Sequence, residues 1–420
     1  MNARLLEDRR PADDMRLSRR ILIVEGALAA VMLTLGSGNF MVGFLSEIGA
    51  SAGEIALITA IPNLGCVLQI IAPLYFEKKT KRKGAVILFC FLFRFLMGFT
   101  VFSPYLFSSG TARRGFAFTL YAIAYLLAGF VTPALNQWIM QIAPQERRGR
   151  YFAVKGITAQ FANAGIAFLM GRLLDRQIVA GTPMHGYVEI YGFCIVGSLI
   201  DLFLMLQMKE PPAAQATLVR LSDLPQPFRD QHFRPILVFE IISYISMMLS
   251  AGYLSVYQIE VIGLSHTMIT GIGIFSMAVG MAGTWIWGKV SDRRGWTVTI
   301  LGTHLISALC LLAWWLTPLS TAKAVAPVIM ILSAMGNGAA GMAGTALQYD
   351  HAPEGWKTTY LGATAAAGSL MGYTALLLGS ALQKALEPRM GCGSMTAMFL
   401  LSAVISLAGI LYGKHRLPKA

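Results

Sequence analysis

About twelve apolar stretches lie between residues 21 and 413, each near the roughly 20 residues that a helix needs to cross a bilayer. That leaves the chain little choice of fold. Where no water is available, a span must satisfy its backbone N–H and C=O groups internally, so the spans have to be helices bundled against one another. They are read at about 21–45, 54–75, 84–107, 115–142, 151–172, 188–208, 235–258, 267–288, 297–317, 324–349, 358–382 and 394–413. Composition agrees, since charged residues are 13% of the chain and hydrophobic residues 55%, against about a quarter charged in soluble domains.

The last six spans repeat the first six. Residues 21–25 (ILIVE) recur as 236–240 (ILVFE), and Arg82, Lys83 and Gly84 recur as Arg293, Arg294 and Gly295. Gln141, Ala143, Pro144, Arg148 and Tyr151 recur as Asp350, Ala352, Pro353, Lys357 and Tyr360. The offset falls steadily from 215 through 211 to 209, as slightly shorter loops in a second copy would give. The expected fold is an all-α membrane protein of twelve transmembrane helices in two pseudo-symmetric six-helix bundles, 21–208 and 235–413. A segment 1–20 precedes them, the proline-bearing stretch 209–234 links them, and 414–420 forms a tail.

A net charge of +13 would suggest nucleic acid in a soluble protein, but here the cations fall on alternate loops. The two termini and the loops on their side carry 25 Lys and Arg, whereas the opposite loops carry seven. By the positive-inside rule both termini are expected in the cytoplasm, and the basic balance is a topology signal that excludes nucleic acid as a partner. Cys66, Cys90, Cys194 and Cys310 lie in spans and Cys392 stands in a loop, with no CxxC spacing, so neither a disulfide framework nor a metal or cofactor site is expected. The first apolar stretch begins only at Ile21 and contains Glu25, which fits a retained span better than a cleaved signal.

Polar side chains facing lipid are costly, so a polar stripe along a span marks a protein interior or a wet cavity. At 100° per residue, Ser243, Ser246, Ser250, Tyr253, Tyr257 and Glu260 share about 100° of arc on the seventh span. Glu25, Asn39 and Glu47 share a face on the first span with Gly36 and Gly43. On the tenth, Ser333, Asn337 and Gln348 align with Gly341 and Gly344, and Pro133, Gln137 and Gln141 give a weaker stripe on the fourth. Spans one, four, seven and ten open four successive three-helix groups, so their stripes suggest a shared central space. Helix packing through small and hydroxyl residues is the competing account of the serines and glycines.

Twelve spans, cytoplasmic termini, a central linker and a duplication together resemble the major facilitator superfamily over the full length. Gly288, Asp292, Arg293 and Gly295 sharpen the resemblance, reproducing G-x-x-x-D-R-x-G between spans eight and nine. In that family the Asp and Arg of this loop hold the cytoplasmic gate through charge contacts and the facing helix end, and the same role is implied for Asp292 and Arg293. The first half departs from the pattern, because Lys81 stands where the Asp belongs and any latch there must differ. Span four lacks the arginine frequent in proton-coupled members. Span five lacks the Gly-Pro signature of drug–proton exporters, so the resemblance disfavours that activity.

Ionisable groups inside spans are functional candidates. Glu25 and Glu240 sit about five residues from the inner end, roughly 7–8 Å deep, and are the candidates for coupling a proton or cation; Glu25 shares the phase of Asn39 and is preferred. Pairing with basic loop residues is the alternative for both. Arg94 and Asp201 lie at matching depths on spans three and six and are expected to form an ion pair. Gln160 and Asn163 on span five and Tyr373 on span eleven complete the cavity candidates, alongside Glu25, Asn39, Gln137, Ser246, Tyr253, Tyr257 and Asn337. Amides and tyrosines with few deep carboxylates suit a neutral or weakly polar small solute.

The function that follows is a secondary active transporter working by alternating access, possible as a symporter or antiporter in a bacterial inner membrane and expected as a monomer. A passive facilitator of the same fold remains open. The chain lacks GxxxxGK[ST] and so does not use ATP by itself. A membrane enzyme would need acid, base or metal groups clustered at one depth, and His185, His232, His266, His304, His351 and His415 are scattered. A transporter-like sensor would be expected to carry a signalling domain, and no segment is long enough to be one.

Overall fold

The structure is a computed structural model that describes residues 15–79, 81–210, 219–264 and 266–418. Those residues are helical nearly throughout, with no strand among them. Ten helices are long and apolar enough to span a membrane by themselves. One of the ten is two spans joined, and the helix beginning at Ala52 supplies the remaining one, which gives the twelve-span count.

The spans fall into two compact units. The first unit holds α1 (Arg16–Leu35), α2 (Gly38–Glu47), α3 (Ala52–Val67), α4 (Pro73–Phe76), α5 (Lys83–Phe99), α6 (Ser103–Leu106), α7 (Gly110–Ile142), most of α8 (Arg148–Val179) and α9 (Pro183–Gln207). The second holds α10 (Gln226–Arg229), α11 (Arg234–Val256), α12 (His266–Leu316), α13 (Leu319–His351), α14 (Lys357–Met390) and α15 (Gly393–Arg416). The division does not follow the linker alone. Residues Pro144–Ala153, expected within 21–208, cluster with the second unit, so the boundary cuts α8 after its first turn and a half.

Local chemistry explains several helix ends. Ala143 and Ala352 leave the helical region (ψ 138° and 137°) because Pro144 and Pro353 follow, and a proline disfavours helical backbone in the residue before it. The same Ala-Pro pair thus stops α7 and α13 at duplicated positions. Ser51 and Glu54 form a reciprocal capping box that starts α3, with Ser51 N–H donating to Glu54 Oε2 at 2.7 Å. Asp230 lies just ahead of the second unit's first span, which begins at Arg234. Its carbonyl accepts from Arg234 N–H at 2.8 Å, while its carboxylate accepts from His232 N–H at 2.9 Å and Tyr360 Oη–H at 2.7 Å. Burial opposes ionisation of Asp230, but those hydrogen bonds outweigh it and hold the carboxyl below its usual range.

Three expected boundaries differ. The first span, read as 21–45, breaks at Gly36 and Ser37 and resumes at Gly38 in the left-handed region (φ 54°). Spans eight and nine, read as 267–288 and 297–317, are two helices that both run up to Gly295, whose non-helical backbone (φ 79°, ψ 171°) makes the break between them, so a single reversal serves in place of a longer loop. The seventh span ends in a π turn, Tyr257–Val261. Many helices also outrun the apolar windows, since helical hydrogen bonding continues past the hydrocarbon edge.

In the first unit the core gathers Phe44, Tyr121, Tyr125, Tyr187 and Tyr191, and in the second one cluster surrounds Phe233, Phe239 and Tyr360 while another surrounds Tyr257, Trp314 and Phe399. Large apolar side chains such as Phe161, Phe168, Phe203 and Leu411 stay exposed, as residues meeting acyl chains would. Helices cross closely where glycines permit it. A Cβ on Gly65 of α3 would stand 2.5 Å from the carbonyl oxygen of Tyr125 on α7. Gly65→Ala is therefore expected to force these helices apart and cost about 1–3 kcal/mol, seen as a lowered thermal midpoint of the detergent-solubilised protein; an unchanged midpoint would contradict the crossing.

Candidate functional site

Charge buried in the first unit is concentrated on three spans. Arg94 of α5 is 5% exposed and donates from Nη2 to Glu25 Oε1 of α1 at 2.9 Å, while Nη1 pairs with Asp201 Oδ2 of α9. Glu25 and Asp201 are 2% and 0% exposed. An isolated ion here would face a desolvation cost of several kcal/mol, and the bidentate geometry of the guanidinium answers it by serving two carboxylates at once. Arg94 and Asp201, placed at equal depth in the sequence, do meet. Glu25 joins them, so the preferred coupling candidate is held by an intramembrane arginine and not by basic loop residues.

Glu240, its counterpart in the duplication, lies in a different setting. It is 8% exposed on α11, its Oε1 has no hydrogen-bond donor, and the Gln348 amide of α13 supplies a bond to the carboxylate. Gly344 makes room for it, because a Cβ there would meet Glu240 Oε1. No cation pairs with it among the described residues.

The motif loop of the second unit forms a latch on the first turn of α8. Asp292 Oδ1 accepts from Gly149 N–H at 2.8 Å and Oδ2 from Arg150 N–H at 3.2 Å, with Arg150 Nε 3.6 Å from the same carboxylate. First-turn amides have no acceptor within their own helix and carry the positive end of its dipole, so a carboxylate suits them on both counts. Glycine makes the approach possible. A Cβ on Gly288 would stand 2.7 Å from Gly149 O, and one on Gly149 would stand 2.8 Å from Asp292 Oδ1. Beside it Arg148 pairs with Asp350 and lies over the Tyr349 ring at 5.3 Å, while Lys357 Nζ is 3.9 Å from the same ring and 2.7 Å from Glu354. Arg293, the motif's other charged residue, is exposed.

The duplicated loop of the first unit is tied differently. Arg82 donates to Glu77 Oε2 and to Gln137 Oε1, each at 2.6 Å, and Glu210 Oε1 accepts from the Arg82 and Lys83 amides at 2.5 and 3.0 Å. Glu77 and Glu210 thus supply carboxylates in a loop where Lys81 has replaced the aspartate. Sequence reasoning missed both, together with the Gly149 amide and Asp350.

Several cavity candidates are committed to packing. Tyr257 is a core ring whose centroid lies 5.3 Å from that of Phe399, Ser246 donates to the Ser402 carbonyl at 2.8 Å, and Gln137 is buried against Arg82. Asn337 and Tyr373 are exposed, and Ser307 Oγ donates to Asn337 Oδ1 at 3.5 Å. Gln160 and Asn163 are half-buried on α8, where Asn163 Oδ1 lacks a donor, and the Tyr253 hydroxyl on α11 lies against Ser380. The side chains of Asn39 and Glu260 lie outside the described residues.

Removing the shared cation should test the buried charges. Arg94→Leu strands two carboxylates and is expected to cost about 3–5 kcal/mol, whereas replacing all three groups (Glu25→Gln, Arg94→Leu, Asp201→Asn) should recover much of that. Thermal unfolding of both variants decides it, and equal damage in the two would contradict the account.

The Major Facilitator Superfamily sequence model matches residues 26–376. Among curated protein sequences none matches the chain significantly. Solved structures share its fold at low identity. The E. coli fucose:proton symporter superimposes with a TM-score of 0.75 at 14% identity, covering 97% of this chain and 100% of its own. A proton:xylose symporter gives 0.73 at 13%, covering 97% of each chain. A bacterial homologue of the iron transporter ferroportin gives 0.74 at 15%, covering 95% of this chain and 99% of its own. With its twelve spanning helices and Asp292 loop, this multi-pass membrane protein belongs to the major facilitator superfamily of transporters.

Proposed function

We propose that the chain is a secondary active carrier that moves a small polar solute by alternating access between two six-helix bundles, 21–208 and 235–413 joined by 209–234, with Glu240 as the residue that couples a proton or cation to the movement. The observation that carries the choice is the contrast between the two duplicated glutamates. Glu25 has a permanent cation in Arg94, whereas Glu240 has an amide on one side and an oxygen without a donor on the other. An ionised carboxylate buried this way is uncompensated, and a proton or a small cation arriving from outside the fold is what would neutralise it. Gln348 then orients the group, and Gly344 lets it lie against α13.

The solute class is supported by the remaining polar groups. Gln160, Asn163 and Tyr253 offer hydrogen bonds without charge, which suits a neutral solute. Two of the structures sharing the fold are described as sugar:proton symporters, which favours a sugar-like solute and a proton over a metal ion. The alternating basic loops support termini in the cytoplasm of a bacterial inner membrane, with the protein acting as a monomer.

Liposomes containing the protein and an entrapped pH dye test the reading. A pool of neutral sugars should drive proton movement that pools of organic anions or divalent metals do not. Glu240→Gln should abolish that proton signal while retaining exchange of labelled for unlabelled solute, since exchange moves no net proton. Proton movement at the wild-type rate in the variant would remove Glu240 from the mechanism.

A further inference from the structure

Two sets of contacts meet on α8. Its first residues belong to the second unit, where the Gly149 and Arg150 amides donate to Asp292 and Ala153 packs beside Gly288. From Val154 onward the same helix belongs to the first unit. Lys155 comes six positions after Gly149, about 9 Å along the axis. Its side chain lies across Gly26 of α1, where a Cβ would stand 3.1 Å from Lys155 Nζ, and it is within electrostatic reach of Glu25 and Arg94.

The charges give this contact a direction. Glu25 and Asp201 contribute two negative charges and Arg94 one positive, so the buried cluster is one cation short of balance. Lys155, whose charge Glu25 favours and Arg94 opposes, is the nearby cation placed to offset it. Glu25 favours the lysine's charge at this place, and Gly26, having no Cβ, leaves room for the lysine stem beside α1. Asp292 holds the first turn. A straight helix fixed at two points so close together cannot rotate at one without moving the other, because its hydrogen-bonded turns transmit the rotation.

We infer that Lys155 is a positioning residue that anchors α8 to the charge cluster around Glu25 and so keeps the Gly149 and Arg150 amides in register with Asp292. Neutralising Glu25, or losing Lys155, releases the anchor and loosens the latch. The inference stands whether or not Glu240 couples a proton, and it makes the charge cluster a controller of the latch as well as a structural tie.

Hydrogen exchange on the purified full-length protein in lipid nanodiscs tests this at the atoms concerned. The Gly149 and Arg150 amides sit where a helix offers them no internal acceptor, so their protection reports Asp292. Asp292→Asn sets the exchange rate of an open latch. Lys155→Met and Glu25→Gln are each expected to raise exchange across 144–153 by about tenfold, and the double variant by no more than either alone, the signature of one shared interaction. Lys155→Arg, which keeps the charge, should exchange near the wild-type rate. Peptides from α15 serve as the control and should not change. The proposal is overturned by unchanged exchange at 144–153 in both single variants, by multiplied effects in the double variant, or by faster exchange that spreads equally to α15.

Discussion

A guanidinium placed among spanning helices has to find its anions within the protein, because lipid offers none. Arg94 meets that requirement by holding Glu25 and Asp201, and in doing so it ties α1, α5 and α9 together at one depth. Much of the first unit's arrangement follows from it. Met32 and Leu35, about two to three turns beyond Glu25 on α1, are fully buried, and Cys194, about two turns before Asp201 on α9, is buried in the same apolar cluster. Buried ion pairs are weak sources of net stability, yet they penalise any arrangement that separates the partners, so their main effect here is on which helices are neighbours.

The duplication has been used asymmetrically. In the second copy the 2–3 loop keeps an aspartate that receives helix amides, with two glycines thinning the backbone so that it can reach them. In the first copy a lysine occupies that position, and the loop is fastened by Arg82, Glu77, Gln137 and Glu210. One ancestral turn now serves as a latch in one half and as an internal brace in the other. Among the described residues the first copy's loop makes no such bond to helix-end amides, and the strength of the Asp292 contact bears directly on how readily the state it holds gives way.

What the sequence revealed and what it concealed divide along physical lines. Span number, the duplicated Ala-Pro helix stops, the motif loop and the depth match of Arg94 with Asp201 depend on hydrophobicity, local backbone rules and rise per residue, all of which can be counted along a chain. The second partner of Arg94 could not be counted, because whether Glu25 faces it depends on how α1 is rotated against α5. Stripes misled for a related reason. Ser246 and Tyr257 share a face with genuine cavity candidates, but one side of a helix can meet another helix as well as water, and periodicity does not distinguish them. Gly149 could not be singled out in the sequence, because its meaning required knowing that Asp292 lies opposite.

The assignment of α8 to both units joins these threads. Its first turn has a carboxylate partner in one unit, and its second turn carries a lysine that balances a charge cluster in the other. Helices tolerate such divided loyalty because their backbone bonds are internal, so a helix end can change partners without losing its own structure. Gly149 occupies the place where a side chain would prevent the division, against the Gly288 carbonyl and the aspartate, while Gly26 leaves room beneath the lysine. Neither glycine is needed for a turn or a positive φ. Both leave room for a charged group to come close to a helix, and that closeness is what lets charge on one span be felt by the backbone of another.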